Sequence, residues 1–140
     1  MDINHIPTVT IYTCNYNTSK YIVNCMDSVF SQTFEDFEFI VLDDHSTDES
    51  MNIITEYYSK LPIQKQKKMR IIRNEKNIGL PASCNKVLSV ARGNYIIRVD
   101  SDDRLRNTFI ERTVERARID GTHAVITGYD ETDEFFHNIS

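Results

Sequence analysis

Residues 37–48 read FEFIVLDDHSTD, and this stretch decides the fold. Its first half is apolar apart from Glu38, which is typical of a central parallel strand that is covered on both faces. The polar half that follows starts at Asp43 and contains Ser46 and Thr47, either of which can cap a helix. A strand, a loop and a helix start in this order predict a βαβ unit, and therefore a parallel sheet.

The same order of elements repeats on both sides of this stretch. Further apolar segments that predict strands lie at residues 8–13, 69–72, 95–99 and 124–127. Apolar residues recur at helical spacing between them, at residues 21–30, 51–58, 81–91 and 106–119. We therefore predict an α/β fold with a mostly parallel central sheet and right-handed crossovers.

Polar residues, proline and glycine mark the expected helix ends. Thr18 or Ser19 is expected to cap the first helix, and Ser46 or Thr47 the second. Pro81 lies near the first turn of the third helix, where its missing N–H costs least. Gly93 is expected to terminate that helix.

Length, charge and cysteine content exclude several classes of protein. The chain has 140 residues, enough for one domain, and its 16 basic and 21 acidic residues give a net charge of −5, unlike a typical duplex nucleic-acid binder. No apolar run approaches the roughly 20 residues that cross a bilayer, and residues 1–5 do not resemble a signal peptide. The three cysteines form no CxxC pair, so neither a disulfide framework nor a zinc site is expected. These features predict a cytoplasmic protein, either free or at the cytoplasmic face of a membrane, with no transmembrane segment and no nucleic-acid partner.

Three polar clusters directly follow predicted strands. They are residues 15–17, 43–44 and 100–103. In open parallel sheets, ligands bind outside the carboxyl ends of the strands, at the point where the strand order reverses. We therefore expect the three clusters to converge on one crevice.

Asp100 and Asp102 are the candidate metal ligands. On an extended backbone, residues two apart point to the same side, so both carboxylates are expected to face one divalent ion. Mg²⁺ and Mn²⁺ accept one or two protein carboxylates and complete their coordination with water and phosphate oxygens. Such an ion would let an acidic crevice bind a diphosphate. The alternative is that residues 100–103 form an ordinary solvated turn.

Two further candidates each have a functional and a structural interpretation. A carboxylate at Asp43 or Asp44 can accept a hydrogen bond from an imide N–H or a ribose hydroxyl, or it can simply begin a loop and cap the next helix. The ring of Tyr16 can stack on a flat base, or it can pack as an ordinary aromatic side chain. The local sequence leaves both alternatives open.

Four groups of residues together resemble the nucleotide-binding half of the family 2 glycosyltransferases, which have the GT-A fold. Residues 9–17 resemble the family's opening strand with its TYN-type ending. Residues 28–38, SVFSQTFEDFE, resemble the S-hydrophobic-x-Q-T-x-x-D-F-E stretch, and residues 42–48 resemble VDDGSTD. NIGLPAS followed by RVDSDD, ending at Asp103, resembles NxGLPAS and R-x-D-x-D-D. The resemblance covers about residues 7–128 and implies a Rossmann-like, three-layer GT-A sandwich.

The resemblance also implies roles for individual residues. Asp44 would recognise the base of the nucleotide, with Cys14 and Tyr16 lining the same pocket. Asp100, the first residue of the DXD motif, would face the ribose and the metal, and Asp102 would hold the metal on the diphosphate. The donor would be a nucleotide-diphospho-sugar, by default a UDP-sugar, and the cofactor Mg²⁺ or Mn²⁺. The sugar would pass, with inversion at its anomeric carbon, to a hydroxyl of a glycan, lipid or protein acceptor.

Some positions depart from the family pattern. His45 stands where glycine is common. Cys84 stands where many members have arginine, so any contact of that arginine with phosphate is either lacking in this chain or supplied by Arg98 or Arg104. The general base of inverting members lies in the acceptor-binding half, and none of the acidic residues within 130–134 can be matched to it.

We therefore expect a single domain over residues 1–140 that is truncated before the acceptor-binding half, with the catalytic base unassigned. The alternative is a non-catalytic module that binds a nucleotide sugar and needs a partner chain or a missing half. A homodimer is also left open. A receiver-type phosphoacceptor domain is excluded, because the third and fifth predicted strands end in Arg73-Asn74 and Thr127-Gly128 instead of the required Asp and Lys.

Overall fold

Four parallel strands form one sheet with helices on both faces in the computed structural model of the protein, which describes residues 4–125, 128 and 130. The elements in chain order are β1 (Val9–Asn15), α1 (Ile22–Phe30), β2 (Phe37–Asp43), α2 (Ser50–Lys60), α3 (Ile63–Gln66), β3 (Met69–Arg73), α4 (Leu80–Leu88), β4 (Tyr95–Arg98) and α5 (Phe109–Asp120). This arrangement confirms the predicted α/β fold with a parallel sheet.

The strand order in the sheet is β3-β2-β1-β4. The chain therefore builds the sheet outward from β1 to β3 on one side and then crosses back to place β4 on the other side of β1. The carboxyl ends of β1, β2 and β3 are level in the sheet, because Asn15 pairs with Asp43 and Asp43 pairs with Arg73. The reversal of strand order thus lies at β1, where the sequence-based rule predicts the ligand crevice.

Strand β2 is buried over its whole length, as its apolar sequence predicts. Alternate residues of the strand point to opposite faces, and each face has its own core. Phe39 and Val41 pack in the larger core with apolar residues of α1, α2 and α5. Ile40 and Leu42 pack in a smaller core with Cys84 and Val87 of α4. The predicted three-layer arrangement of helix, sheet and helix follows from this alternation.

The expected helix caps differ from those observed. Helix α1 begins at Ile22 and α2 at Ser50, and neither helix has a side-chain cap from Thr18, Ser19, Ser46 or Thr47. These polar side chains are engaged in the loop network described below. The N–H of Ser50 is bonded by the carboxylate of Asp48 at 2.9 Å.

Helix α4 begins as predicted, with proline in its first turn, but it ends at Leu88, before Gly93. Gly93 has a different role, because a Cβ atom there would lie 2.2 Å from the backbone nitrogen of Thr10. This glycine is needed for close approach of the α4–β4 connection to β1. The helix that does end at a glycine is α5, whose C-cap Gly121 is left-handed.

The predicted fifth strand, residues 124–127, lies only partly within the described residues. Ala124 and Val125 are not in a strand, and residues 126 and 127 lie outside the described part of the chain. No helix in residues 4–125 is both long enough and apolar enough to span a membrane.

Candidate functional site

A chain of hydrogen bonds joins the ends of β2, β1 and β4. The amide nitrogen of Asn15 donates to the Asp43 carboxylate at 2.8 Å. The hydroxyl of Thr18 contacts the amide oxygen of Asn15 and lies 2.8 Å from the hydroxyl of Ser101. The three polar clusters therefore converge at one edge of the sheet, as the sequence predicts.

Asp43 is completely buried, and its carboxylate is used within the loop that follows β2. It accepts hydrogen bonds from the backbone N–H of Ser46 at 3.0 Å and from the Ser46 hydroxyl at 2.6 Å, in addition to the bond from Asn15. For Asp43 the structure therefore agrees with the structural interpretation, because its carboxylate shapes the loop and does not face solvent.

Asp44 is also buried, with only 4% of its surface exposed, but it binds a different segment. Its carboxylate accepts hydrogen bonds from the side chain of Asn74 at 2.8 Å and from the backbone N–H groups of Ile78 and Gly79, both at 2.9 Å. Burial opposes ionisation of the carboxyl, but these donors and the Ser83 hydroxyl outweigh it and hold the pKa of Asp44 below its usual value. Asp44 is therefore an ionised acceptor that fixes the loop before α4, and a nucleotide base can bind it only by exchanging with one of these donors.

The loop after β1 presents Tyr16 to solvent. The Tyr16 side chain is exposed, at 46%, and so does not have the packed position that was the structural alternative. The next residue, Asn17, has φ +54° and its side-chain oxygen accepts the N–H of Thr47 at 2.8 Å. His45, across the site, has φ +61°, which explains why glycine is favoured at that position. Both loops, after β1 and after β2, thus contain a residue with left-handed backbone conformation.

Residues 100–103 form a turn, with the N–H of Asp103 bonded to the carbonyl of Asp100 at 2.9 Å. The expectation that Asp100 and Asp102 lie on an extended backbone is therefore wrong, because β4 ends at Arg98 and the chain folds back at once. Asp102 is exposed in this turn. Burial, together with the charges of Asp102 and Asp100, raises the pKa of Asp103, so the turn concentrates negative charge that a cation would neutralise.

The residues of this turn fit a divalent ion that is shared with a phosphate ligand. Within the described part of the chain, no three Asp, Glu, His or Cys side chains are close enough to hold an ion by themselves. Mg²⁺ and Mn²⁺ do not need three, since one or two carboxylates suffice when phosphate and water supply the remaining oxygens. Asp100 and Asp102 remain the two candidate carboxylates of this turn.

Arg98 points its guanidinium toward the same place. Its Nε atom lies 3.1 Å from a carboxylate oxygen of Asp100, and its charge interacts electrostatically with Cys84. Arg98 thus has a positive charge near position 84, where arginine is common in the family.

Asn74 is a site residue that the sequence analysis missed. It is buried directly after β3, donates to Asp44, and accepts a hydrogen bond from Lys86 of α4 at 2.7 Å. The sequence contained an indication of this role, because Asn74 follows a predicted parallel strand, and polar residues at strand ends were the criterion that selected Asn15 and Asp43. Thr18 and Ser101 were not separable from ordinary loop residues by sequence.

The comparisons with known proteins agree with this geometry. A model of the family described as "Glycosyl transferase family 2" matches residues 10–139. The chain is 37% identical to a chondroitin synthase of Escherichia coli over 118 residues, which is 84% of this chain and 16% of that protein. It is 35% identical to a hyaluronan synthase of Pasteurella multocida over 124 residues, covering 89% of this chain and 12% of that protein.

A solved structure shows the same fold. The crystal structure of S. aureus TarS 1-349 in complex with UDP superposes with a TM-score of 0.70 at 29% identity, covering 80% of this chain and 32% of that one. The fold defines an α/β domain of the GT-A type. The chain belongs to glycosyl transferase family 2, and it spans less than a fifth of the length of the two curated relatives named above.

Proposed function

We propose that this chain is the donor-binding domain of a metal-dependent, inverting glycosyltransferase that uses a UDP-sugar. The observation that carries the proposal is the convergence of the β1, β2 and β4 ends on one edge of the sheet, with the acidic turn at residues 100–103 exposed beside them. The similarity to a TarS structure that contains UDP supports the choice of nucleotide.

The nucleotide lies, in this proposal, across the carboxyl ends of the strands. The ring of Tyr16 stacks on the base, Cys14 lines the same pocket, and Asp44 accepts a base N–H in exchange for one of its present donors. Asp100 faces the ribose. The exposure of Tyr16 supports its part, because its ring face is not used in the core.

Asp102 and Asp100 hold Mg²⁺ or Mn²⁺ against the diphosphate. The ion neutralises charge on the departing nucleoside diphosphate. Arg98 adds a positive charge on the same side of the turn, since its guanidinium already lies 3.1 Å from Asp100. The acceptor hydroxyl and the general base that activates it belong to the acceptor-binding half, which we propose lies outside residues 1–140.

The three cysteines are free thiols, which fits a reducing compartment, and we propose the cytoplasm as the location. A non-catalytic module that binds a nucleotide sugar for a partner chain is the second candidate.

The test is a calorimetric titration of the purified chain with UDP, with and without Mn²⁺. Asp102→Asn is expected to remove the Mn²⁺-dependent part of the affinity, a loss of about tenfold or more, or about 1.4 kcal/mol. The fold should stay intact, because Asp102 is exposed. Glu115→Gln, an equal change of charge at an exposed position of α5, is the matched control. Unchanged Mn²⁺-dependent binding in the Asp102 variant would remove this residue from the site.

A further inference from the structure

Two cysteines that are 70 positions apart in sequence meet at the candidate site. Cys14 lies in β1 next to its carboxyl end and Cys84 lies in α4, and their Sγ atoms are 3.9 Å apart. Both are free thiols. The third cysteine, Cys25, is fully buried in the core on the α1 side of the sheet.

The surroundings of the pair are polar on one side. The Tyr12 hydroxyl and the Arg98 guanidinium lie close enough to Cys84 to interact with it electrostatically. Cys14 is half-buried, and burial, followed by the neighbouring Cys84, raises its pKa to about 12. The Cys14 thiol is therefore mostly protonated at neutral pH and reacts slowly, so its oxidation needs an excess of peroxide.

We propose that Cys14 and Cys84 are an oxidation site, where a peroxide converts the two thiols into an intramolecular disulfide that weakens nucleotide binding. Two S–H bonds break and one S–S bond forms, while the two protons and two electrons pass to hydrogen peroxide, which becomes two molecules of water. The first part, disulfide formation, rests on the 3.9 Å separation alone. The second part, the effect on the nucleotide, rests on the proposed function.

A disulfide between Cys14 and Cys84 would change the pocket by moving the end of β1 and helix α4. The sulfur atoms must close from 3.9 Å to about 2.05 Å, which draws the end of β1 and helix α4 together. Helix α4 starts directly after Ile78 and Gly79, the two residues whose N–H groups Asp44 holds. The disulfide would therefore link β1 to α4 and pull on Ile78 and Gly79, which bind Asp44. The Cys14 side and the Asp44 side of the proposed base pocket would both shift.

The first experiment follows the chemistry and does not depend on nucleotide binding. The purified chain is treated with hydrogen peroxide, alkylated after denaturation, digested and analysed by mass spectrometry. We expect a loss of about 2 Da relative to the reduced chain, a linked peptide pair containing Cys14 and Cys84, and an alkylated Cys25. Cys25→Ser should form the same link and Cys84→Ser should not. Absence of the link in chain that circular dichroism shows to be folded, or a link through Cys25 instead, would overturn the proposal.

The second experiment measures UDP affinity of the same samples. We expect the oxidised chain to bind UDP at least tenfold more weakly, full recovery with dithiothreitol, and no effect of peroxide on Cys84→Ser. A disulfide that forms without changing UDP affinity would overturn the regulatory part. If the reduced chain binds no UDP, the proposed function fails, while the mass spectra still decide whether the oxidation site exists.

Discussion

Asp43 and Asp44 are neighbours in sequence, and their carboxylates receive hydrogen bonds from different parts of the chain. Asp43, the last residue of β2, is bonded by Asn15, the last residue of β1, and by Ser46 of the loop that follows β2. Asp44 is bonded by Ile78 and other donors of the loop that precedes α4. The first carboxylate shapes a loop and the second ties two loops together. Of the two, Asp44 is the one that a ligand could reach by displacing a donor.

Asp44→Ala tests this difference. We expect UDP affinity to fall about tenfold or more while Mn²⁺ still strengthens what binding remains, because Asp44 is separate from the acidic turn. The free energy of unfolding should fall by roughly 1–3 kcal/mol, since buried N–H donors lose their acceptor. Titration with UDP in the presence and absence of Mn²⁺, with chemical denaturation of the same variant, measures both. Equal loss of base recognition and metal dependence would contradict the division of roles.

Glu38 predicts how stability depends on pH. It is buried in β2 and accepts hydrogen bonds from the Thr10 hydroxyl at 2.7 Å and from the backbone N–H and Nε of Arg92 at 2.6 and 3.1 Å. Burial opposes its ionisation, but these donors outweigh burial and lower its pKa. A carboxyl whose pKa is lower in the folded state stabilises the fold above its unfolded pKa, and this contribution is lost as pH falls through the folded value.

Glu38→Gln should therefore lower the free energy of unfolding at pH 7 by roughly 1–3 kcal/mol. The difference from the parent chain should shrink as the pH falls below about 4.3, the ordinary pKa of Glu. Urea denaturation from pH 7 to pH 3 measures this difference in the free energy of unfolding. Glu115→Gln, a change at an exposed residue, is the control. A difference that stays constant over this range would show that the charge of Glu38 does not stabilise the fold.

Among the elements, the connection between α4 and β4 has the tightest steric requirement on a glycine. A Cβ at Gly93 would lie 2.2 Å from the Thr10 nitrogen and 2.6 Å from the Val9 carbonyl carbon, whereas a Cβ at Gly121 would meet nothing within 4 Å. The N–H of Gly93 also donates to the Thr10 hydroxyl at 2.8 Å. Gly93 is therefore required because no side chain fits there, whereas Gly121 is favoured because of its left-handed backbone conformation.

Gly93→Ala should lower the free energy of unfolding by about 3 kcal/mol or more, because the contact is with backbone atoms that cannot move aside. Gly121→Ala is the matched comparison and should cost about 1–2 kcal/mol, the price of a left-handed residue with a side chain. Denaturant unfolding of both variants measures the difference. A smaller loss at position 93 than at position 121 would refute the close-approach role.

The sequence predicts the existence of the elements better than the way in which they end. Apolar runs such as residues 37–42 predicted the strands, because a buried parallel strand leaves few choices for its residues. The caps failed for a physical reason. Ser46 and Thr18 were expected to bond helix N–H groups, but tertiary partners that are distant in sequence, such as Ser101, compete for their hydroxyls. The Gly93 contact was equally invisible, since it depends on how closely two segments cross.

For the whole molecule, the rule that ligands bind where the strand order reverses predicted that residues 15–17, 43–44 and 100–103 converge at one edge of the sheet, and the structure confirms this convergence. The rule did not reveal the turn geometry of Asp100 and Asp102, because the sequence does not show where β4 stops. Nor did it find Asn74, although the same rule applies to β3.

At this scale we predict that the chain of 140 residues binds UDP in the presence of Mn²⁺ but transfers no sugar by itself, since no residue in it has been matched to the general base. An assay for UDP release from UDP-sugars, with glycan and lipid acceptors, measures transfer. Turnover that Asp102→Asn abolishes would show instead that a base lies within the chain. If the parent chain and the Asp102→Asn variant both release UDP without an acceptor, a contaminating hydrolase is indicated.

The two faces of the sheet carry cores of very different size. On the larger face, α1, α2 and α5 share one apolar cluster, while on the other face α4 packs Cys84 and Val87 on Tyr12, Ile40 and Leu42. Because it buries less apolar surface, we expect α4 to open locally at a lower free energy than the helices of the larger core. A ligand that binds beside α4 only when the helix is packed on the sheet would therefore slow hydrogen exchange in α4 more than in α1.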